Sequence, residues 1–263
     1  MTAIHLSGIG LAAPGLPGWS DGARVLSGES PYVDAELPPY TPERLPANER
    51  RRASQVVRLA FRAAEDAVRS SSAVLSELAA VFATADADLA ITSRILSALA
   101  QLPRVISPTD FHNSVQNAAA GYWSIGTSAQ RPSTTVAGHD ASFAVGLLEA
   151  AAMVHVDRID TLLVAFDAPA PEPLLEKRPV LKPVAVALLL TAEATASTIA
   201  TMQIELGGEY TSVLASSALE NLRTSNPAAR ALPLLELLAK RQAGAVFLER
   251  AGRQRIRVAI EPA

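Results

Sequence analysis

DFHNSVQNAAAGYWSIGTSAQRPSTTVAGHDASFAVG, residues 110–146, sets a helical pattern, a polar turn, a short β-branched strand and a second helix in direct succession. The first pattern, over 110–126, has cap candidates at Ser107, Thr109 and Asp110, and its alanines are small enough for close packing. The strand, over 133–137, leads through Gly138, His139 and Asp140 into an alanine-rich helix over 141–156. Outward from this unit, apolar runs predict strands over 3–12, 78–84, 161–166, 184–191 and 202–205. Helices are predicted over 21–27, 48–70, 86–99 and 232–240; in the second, Val56, Leu59, Phe61, Ala63, Ala64 and Val68 recur at three- and four-residue spacing. Pro169, Pro171, Pro173 and Pro179 mark an irregular excursion, and 244–248 with 254–260 alternate like a terminal hairpin. Strands alternating with helices predict an α/β layered domain whose nearly all-apolar strands are covered on both faces.

Composition excludes several classes of function. The chain has 263 residues, about half of them apolar, and can bury the core of one large domain. Its formal net charge is -3, and the one basic run noted, Arg50, Arg51 and Arg52, fits a solvated helix face, so no nucleic-acid partner is expected. There is no cysteine, which removes disulfides, thiolate metal ligands and sulfur nucleophiles together. No apolar stretch reaches the ~20 residues that span a bilayer, and no export signal opens the chain, so a cytoplasmic location is expected. No H-x-x-x-H or other clustered ligand pattern predicts a metal, and the glycines of GIGLAAPG (residues 8–15) lack the third glycine of a dinucleotide fingerprint. No cofactor is expected.

The order of the pieces resembles the N-terminal half of a β-ketoacyl synthase of the thiolase-like fold, over roughly residues 3–207. Ser7, Gly8, Ile9, Gly10 and Pro14 match an opening T-G-x-G-x-x-x-P, and Leu26, Ser27, Gly28, Glu29 and Ser30 match L-x-G-x-S. Residues 111–126 resemble short ketosynthase-like proteins of aryl polyene and xanthomonadin-type pigment pathways, regarded as chain-length-factor-like partners of an active ketosynthase. The resemblance implies helices covering a mixed five-stranded sheet in a domain over 1–207, with 208–263 a short helix-and-strand extension packed on the same domain.

The same resemblance locates the family's chemistry at the strand-to-helix elbow, where a cysteine thiolate is favoured by a helix N-terminus. Here Ala137, Gly138, His139 and Asp140 form that elbow, and Gly138 stands at the nucleophile's position. The family's two catalytic histidines come from a C-terminal repeat; after Leu206 about 57 residues remain, none of them histidine. A non-catalytic subunit is therefore expected. A compact His139–Asp140–Ser142 triad is disfavoured, because adjacent residues leave a helix start in different directions. Ketosynthases pair through the strand before the nucleophile, which implies a partner interface or tunnel built from Thr134, Thr135 and Val136 with Phe111, His112, Asn113, Tyr122 and Trp123. The residues alone also read Phe111, Tyr122 and Trp123 as core packing. The implied partner is an active ketosynthase in a heterodimer, together with an acyl carrier protein; a homodimer binding an acyl or aromatic ligand is the alternative.

Overall fold

The computed structural model describes residues 3–250, 252 and 254–263. Along the chain, β1 (Ile4–Ala12) leads to α1 (Trp19–Leu26), α2 (Ala47–Arg52), α3 (Gln55–Val68) and β2 (Ala79–Ala83). Then come α4 (Leu89–Leu99), α5 (Pro108–Asn113), α6 (Ala118–Thr127), β3 (Ser133–Val136), α7 (Ser142–His155) and β4 (Thr161–Asp167). The remainder is α8 (Leu174–Lys177), β5 (Val184–Thr191), β6 (Ala200–Leu206), α9 (Ser217–Ser225), α10 (Leu232–Ala239), β7 (Gly244–Glu249) and β8 (Arg255–Pro262). Among the described residues the strands form one eight-stranded sheet in the order β3-β2-β4-β5-β1-β6-β8-β7, not the five-stranded sheet expected. It is mixed: β2 runs parallel to β3 and β4, and the other neighbours are antiparallel. Six of the strands lie within residues 1–207, one more than expected, and the hairpin of residues 208–263 adds the other two, with β8 pairing to β6 over seven positions.

Each face of the sheet carries its own layer. On one, α3 and α6 cover Ala80, Phe82, Leu162, Val164, Phe166, Ala185, Ala187 and Leu189. On the other, α7, α9, α10 and the 3-10 turn Ala228–Ala231 cover alternate residues of the sheet out to β7 and β8. This strand alternation, with both faces dry, explains why β4 and β5 read as unbroken apolar runs, buried at every position. The helix α10 completes the layer begun by α7, packing on α1 as well as on β7 and β8.

The glycines of the opening motif have a packing reason. A Cβ at Gly8 would lie 2.0 Å from the Ala67 carbonyl oxygen, and one at Gly10 would lie 1.8 Å from that of Ala63. Only hydrogen at both positions lets the α3 backbone rest directly on β1. Carboxylates on α3 then pin the flanking loops. Asp66 accepts from the Leu11 amide at 3.2 Å and the Trp19 amide at 2.6 Å, and buried Glu65 accepts from the Glu43 and Arg44 amides and the Tyr40 hydroxyl. Burial and that carboxylate together push the Tyr40 phenol well above its ordinary range.

Two predicted helices are each divided. The pattern over 48–70 breaks at Ala53 and Ser54, because the Ser54 hydroxyl caps α3 by accepting from the Val57 amide at 3.2 Å. The pattern over 110–126 breaks at residues 114–117, where the Ser114 hydroxyl donates back to the Phe111 carbonyl and ends α5. Of the three cap candidates, Ser107 is the one that caps α5, by accepting from the Asp110 amide. Periodicity missed α9, a short helix with three buried residues, and α8, a single turn inside the proline-rich excursion.

Candidate functional site: the elbow and the open sheet edge

At the elbow the chain leaves β3 through exposed Ala137 and half-buried Gly138. His139 then adopts φ +55°, a left-handed conformation uncommon outside glycine, before the 3-10 turn His139–Ala141 runs into α7. The turn is fixed from within by Ser142, which is 1% exposed; its hydroxyl accepts from the Gly138 amide at 3.0 Å and donates to the His139 carbonyl at 2.7 Å. The His139 ring is exposed, and its Nδ1 lies 3.5 Å from an Asp140 carboxylate oxygen, so these neighbours do approach, contrary to the sequence expectation. They still make no triad, because the Ser142 proton is committed to a backbone oxygen rather than to imidazole.

Asp140 belongs to a chain of ion pairs that sequence reasoning did not find. Arg178 donates to Asp86 at 2.5 Å and to Asp140 at 2.7 Å. Arg230 lies 3.8 Å from the second oxygen of Asp140 and pairs with Glu249 at 2.9 Å. The chain ties the loop after β2, the elbow, the proline-rich excursion, the 228–231 turn and the end of β7 into one joint. Beside it lies Asp167, 2% exposed, which accepts from the Thr84 hydroxyl and the Ala85 amide while its other oxygen has no partner among the described residues. Burial pushes its carboxyl up to about 7. Above the elbow opens a cleft of about 410 Å³, lined by residues 138–141 and by Glu249, Arg250, Gly252 and Arg255 of the β7–β8 hairpin.

The two ends of the sheet differ. At the β7 end, the Ser212 amide donates to the Phe247 carbonyl and its hydroxyl accepts from the Phe247 amide, so a loop covers that edge. At the other end, among the described residues, β3 pairs only with β2. The Ala80 amide takes the Pro132 carbonyl and the Thr84 amide takes that of Val136, so the even-numbered carbonyls face β2 and the backbone of Thr135 points outward. A groove of about 510 Å³ lies alongside, between Ser133, Thr134 and Thr135 and the residues of α6. Exposed apolar side chains also occur on α4, on α5 and in the segments that flank α5: Leu96, Leu99, Leu102, Val105, Phe111 and Val115.

The residues predicted for an interface or tunnel divide accordingly. Thr134 and Thr135 line this groove and Phe111 is exposed on α5, while half-buried Val136 packs on the α7 side of the core. Tyr122 and Trp123 do not lie there; they are 2% and 1% exposed, and Trp123 meets Phe61 of α3 edge-on at 5.4 Å. The helix α6 turns its aromatic side inward to fill the layer over β2, so core packing is the correct reading of both. Asn113 is also buried, and its amide donates to the Arg52 and Thr109 carbonyls, which joins α5 to α2. His112 is exposed and sits edge-on to the Tyr122 ring at 6.0 Å. Among the described residues no group of three or more histidine or acidic side chains could hold a metal, and no helix is long and apolar enough to cross a membrane.

A family model described as "Beta-ketoacyl synthase, N-terminal domain" matches residues 26–251. No curated protein matches the chain. Among solved structures, the chain is similar to a ketosynthase (ApeO) in complex with its chain length factor (ApeC) from Xenorhabdus doucetiae, with 23% identity, a TM-score of 0.73, and 98% of this chain and 100% of that one covered. It is also similar to the ishigamide ketosynthase/chain length factor, with 13% identity, a TM-score of 0.78 and 99% of both chains covered. Against ketosynthase twelve of the bacillaene polyketide synthase from Bacillus amyloliquefaciens, 78% of this chain covers 45% of that chain, with 16% identity and a TM-score of 0.57.

Proposed function

Since this chain belongs to the β-ketoacyl synthase N-terminal domain family, we propose that it is a non-catalytic, chain-length-factor-type subunit that pairs with an active ketosynthase. The observation that carries this reading is Gly138. Acyl transfer through an enzyme thioester needs a sulfur at the elbow, and here the backbone turn is kept while the side chain is a hydrogen. No cysteine elsewhere in the sequence could take its place. Such a subunit acts by contact: it stabilises the condensing enzyme and helps shape the space into which the acyl chain grows, while the bond-making steps occur on the partner. The solved complex of ketosynthase and chain length factor, one chain of which is covered end to end by this one, supports the pairing.

The outward backbone of β3 supplies the docking edge, running antiparallel to its counterpart on the partner and joining two sheets into one. Four residues of strand bury far less than the roughly 2,000 Å² or more of an obligate interface. The exposed apolar side chains on and around α4 and α5 supply the remaining area, with Phe111 the aromatic anchor.

Co-expression with a cysteine-containing ketosynthase, followed by size-exclusion chromatography, tests the pairing. A one-to-one complex is expected, and Thr135→Pro should abolish it without unfolding the chain, because that change removes an outward N–H and leaves the β2 ladder intact. A stable homodimer that exchanges with no ketosynthase would favour the ligand-binding alternative instead.

A further inference from the structure

We propose that the cleft over the elbow is a phosphate-binding site, made by Arg250 and Arg255 at the turn of the β7–β8 hairpin. Both arginines line the cleft, facing residues 138–141. The acids that share it are each paired with an arginine outside the cleft lining: Asp140 with Arg178 at 2.7 Å, and Glu249 with Arg230 at 2.9 Å. Arg250 and Arg255 have no carboxylate within ion-pair distance among the described residues.

Arg255 is nevertheless held in place, and only by neutral oxygens. Its Nε donates to the Thr211 hydroxyl at 2.6 Å, and its Nη1 to the Gly252 and Gln254 carbonyls at 3.2 and 2.8 Å. Among the described residues that leaves Nη2 without a partner, and Glu249, opposite Arg255 in the hairpin register, is paired with Arg230 instead, so the guanidinium is oriented before any ligand arrives and has a donor to spare. Within the cleft lining Arg250 and Arg255 stand beside Asp140 and Glu249, and those two acids are bound by Arg178 and Arg230 from outside it, which leaves the two lining arginines as the groups open to an anion. A phosphate is the oxyanion that two such groups on opposite arms of a hairpin turn recognise, since it presents several acceptor oxygens and up to two negative charges. The cleft opens to solvent, so the group can enter as a free ion or at the end of a larger ester. This site is independent of the β3 edge, and it stands whether or not the chain pairs with a ketosynthase.

Calorimetric titration of the full chain at low ionic strength tests it, with inorganic phosphate, glycerol 3-phosphate and neutral glycerol as the probes. Saturable binding is expected for one or both phosphates and none for glycerol. Tighter binding of glycerol 3-phosphate supports the site as an ester site, and tighter binding of the inorganic ion supports it as a free-phosphate site. Arg255→Gln and Arg250→Gln should each weaken binding at least tenfold, while Arg24→Gln, on α1 and outside the cleft lining, should leave it unchanged. Melting curves check that each variant is folded; should Arg255→Gln unfold, Arg250→Gln carries the test alone. Absence of saturable binding by wild type, equal binding by folded Arg250→Gln, or equal weakening by Arg24→Gln would overturn the assignment.

Discussion

Gly10→Ala is expected to be among the most damaging single-methyl additions this chain can undergo. The new Cβ would lie 1.8 Å from the Ala63 carbonyl oxygen and 2.8 Å from both the Ala63 carbonyl carbon and the Ala67 nitrogen. Ordinary contact begins near 3.4 Å, so α3 must retreat from β1 by about 1.5 Å, and the obstructing atoms are helix backbone with no rotamer to change. That helix buries ten residues, including Phe61 and Leu59, and each loses close contact as the layer lifts. Overpacking costs ~1–3 kcal/mol where side chains can yield; with backbone on both sides we expect ~4 kcal/mol or more. At an unfolding entropy of about 2 cal/mol/K per residue, a chain of this length loses roughly 2 °C per kcal/mol, so the melting midpoint should fall by about 7 °C or more. Gly121→Ala is the internal comparison: nothing lies within 4 Å of its Cβ in the exposed middle of α6, and the helix gains about 1 kcal/mol of propensity. Thermal denaturation followed by circular dichroism reads both. A Gly10→Ala midpoint within 2 °C of wild type, about 1 kcal/mol by the same conversion, would refute the close approach of α3 to β1.

Asp167→Asn should alter the pH dependence of stability. The Asp167 carboxyl is raised by burial to about 7 in the folded chain, so folding retains a proton there, and stability from this residue is lost as pH rises from about 4 toward 7. The gap sets a ceiling of about 4 kcal/mol; Asn should therefore raise the melting midpoint at pH 8 and change it little at pH 5, and parallel curves for the two proteins would contradict the burial of this charge. Trp123→Ala should cost the isolated chain ~3–5 kcal/mol, because the indole fills the layer against Phe61 rather than an external surface. A variant as stable as wild type, yet unable to bind a ketosynthase, would return Trp123 to the interface.

The strands were legible because burial on both faces leaves a plain record: the β5 range is recovered to the residue, and β4 differs by one position. Helix interruptions were less legible, since Ser54 and Ser114 act through single hydroxyl bonds that periodicity does not register. The elbow could be located from its strand, glycine and helix, but its surroundings could not. Arg178 stands 92 residues from Asp86 and 38 from Asp140, and no local pattern links charges that only the sheet brings together. Tyr122 and Trp123 illustrate the ambiguity of aromatic residues on an alanine-rich helix: either face could have been the outer one, and the packing of α6 over β2 decided it. The terminal hairpin was visible as alternation, whereas its addition to the main sheet depended on pairing between β8 and β6, far apart in sequence.

The most direct test of a contact-only role is intact-mass spectrometry of this chain and a cysteine-containing ketosynthase incubated together with acyl-loaded carrier protein. The acyl mass should appear on the ketosynthase alone, with the 263-residue chain unmodified at every time point. A stoichiometric acyl adduct on this chain, mapped by fragmentation to residues 137–142, would contradict it.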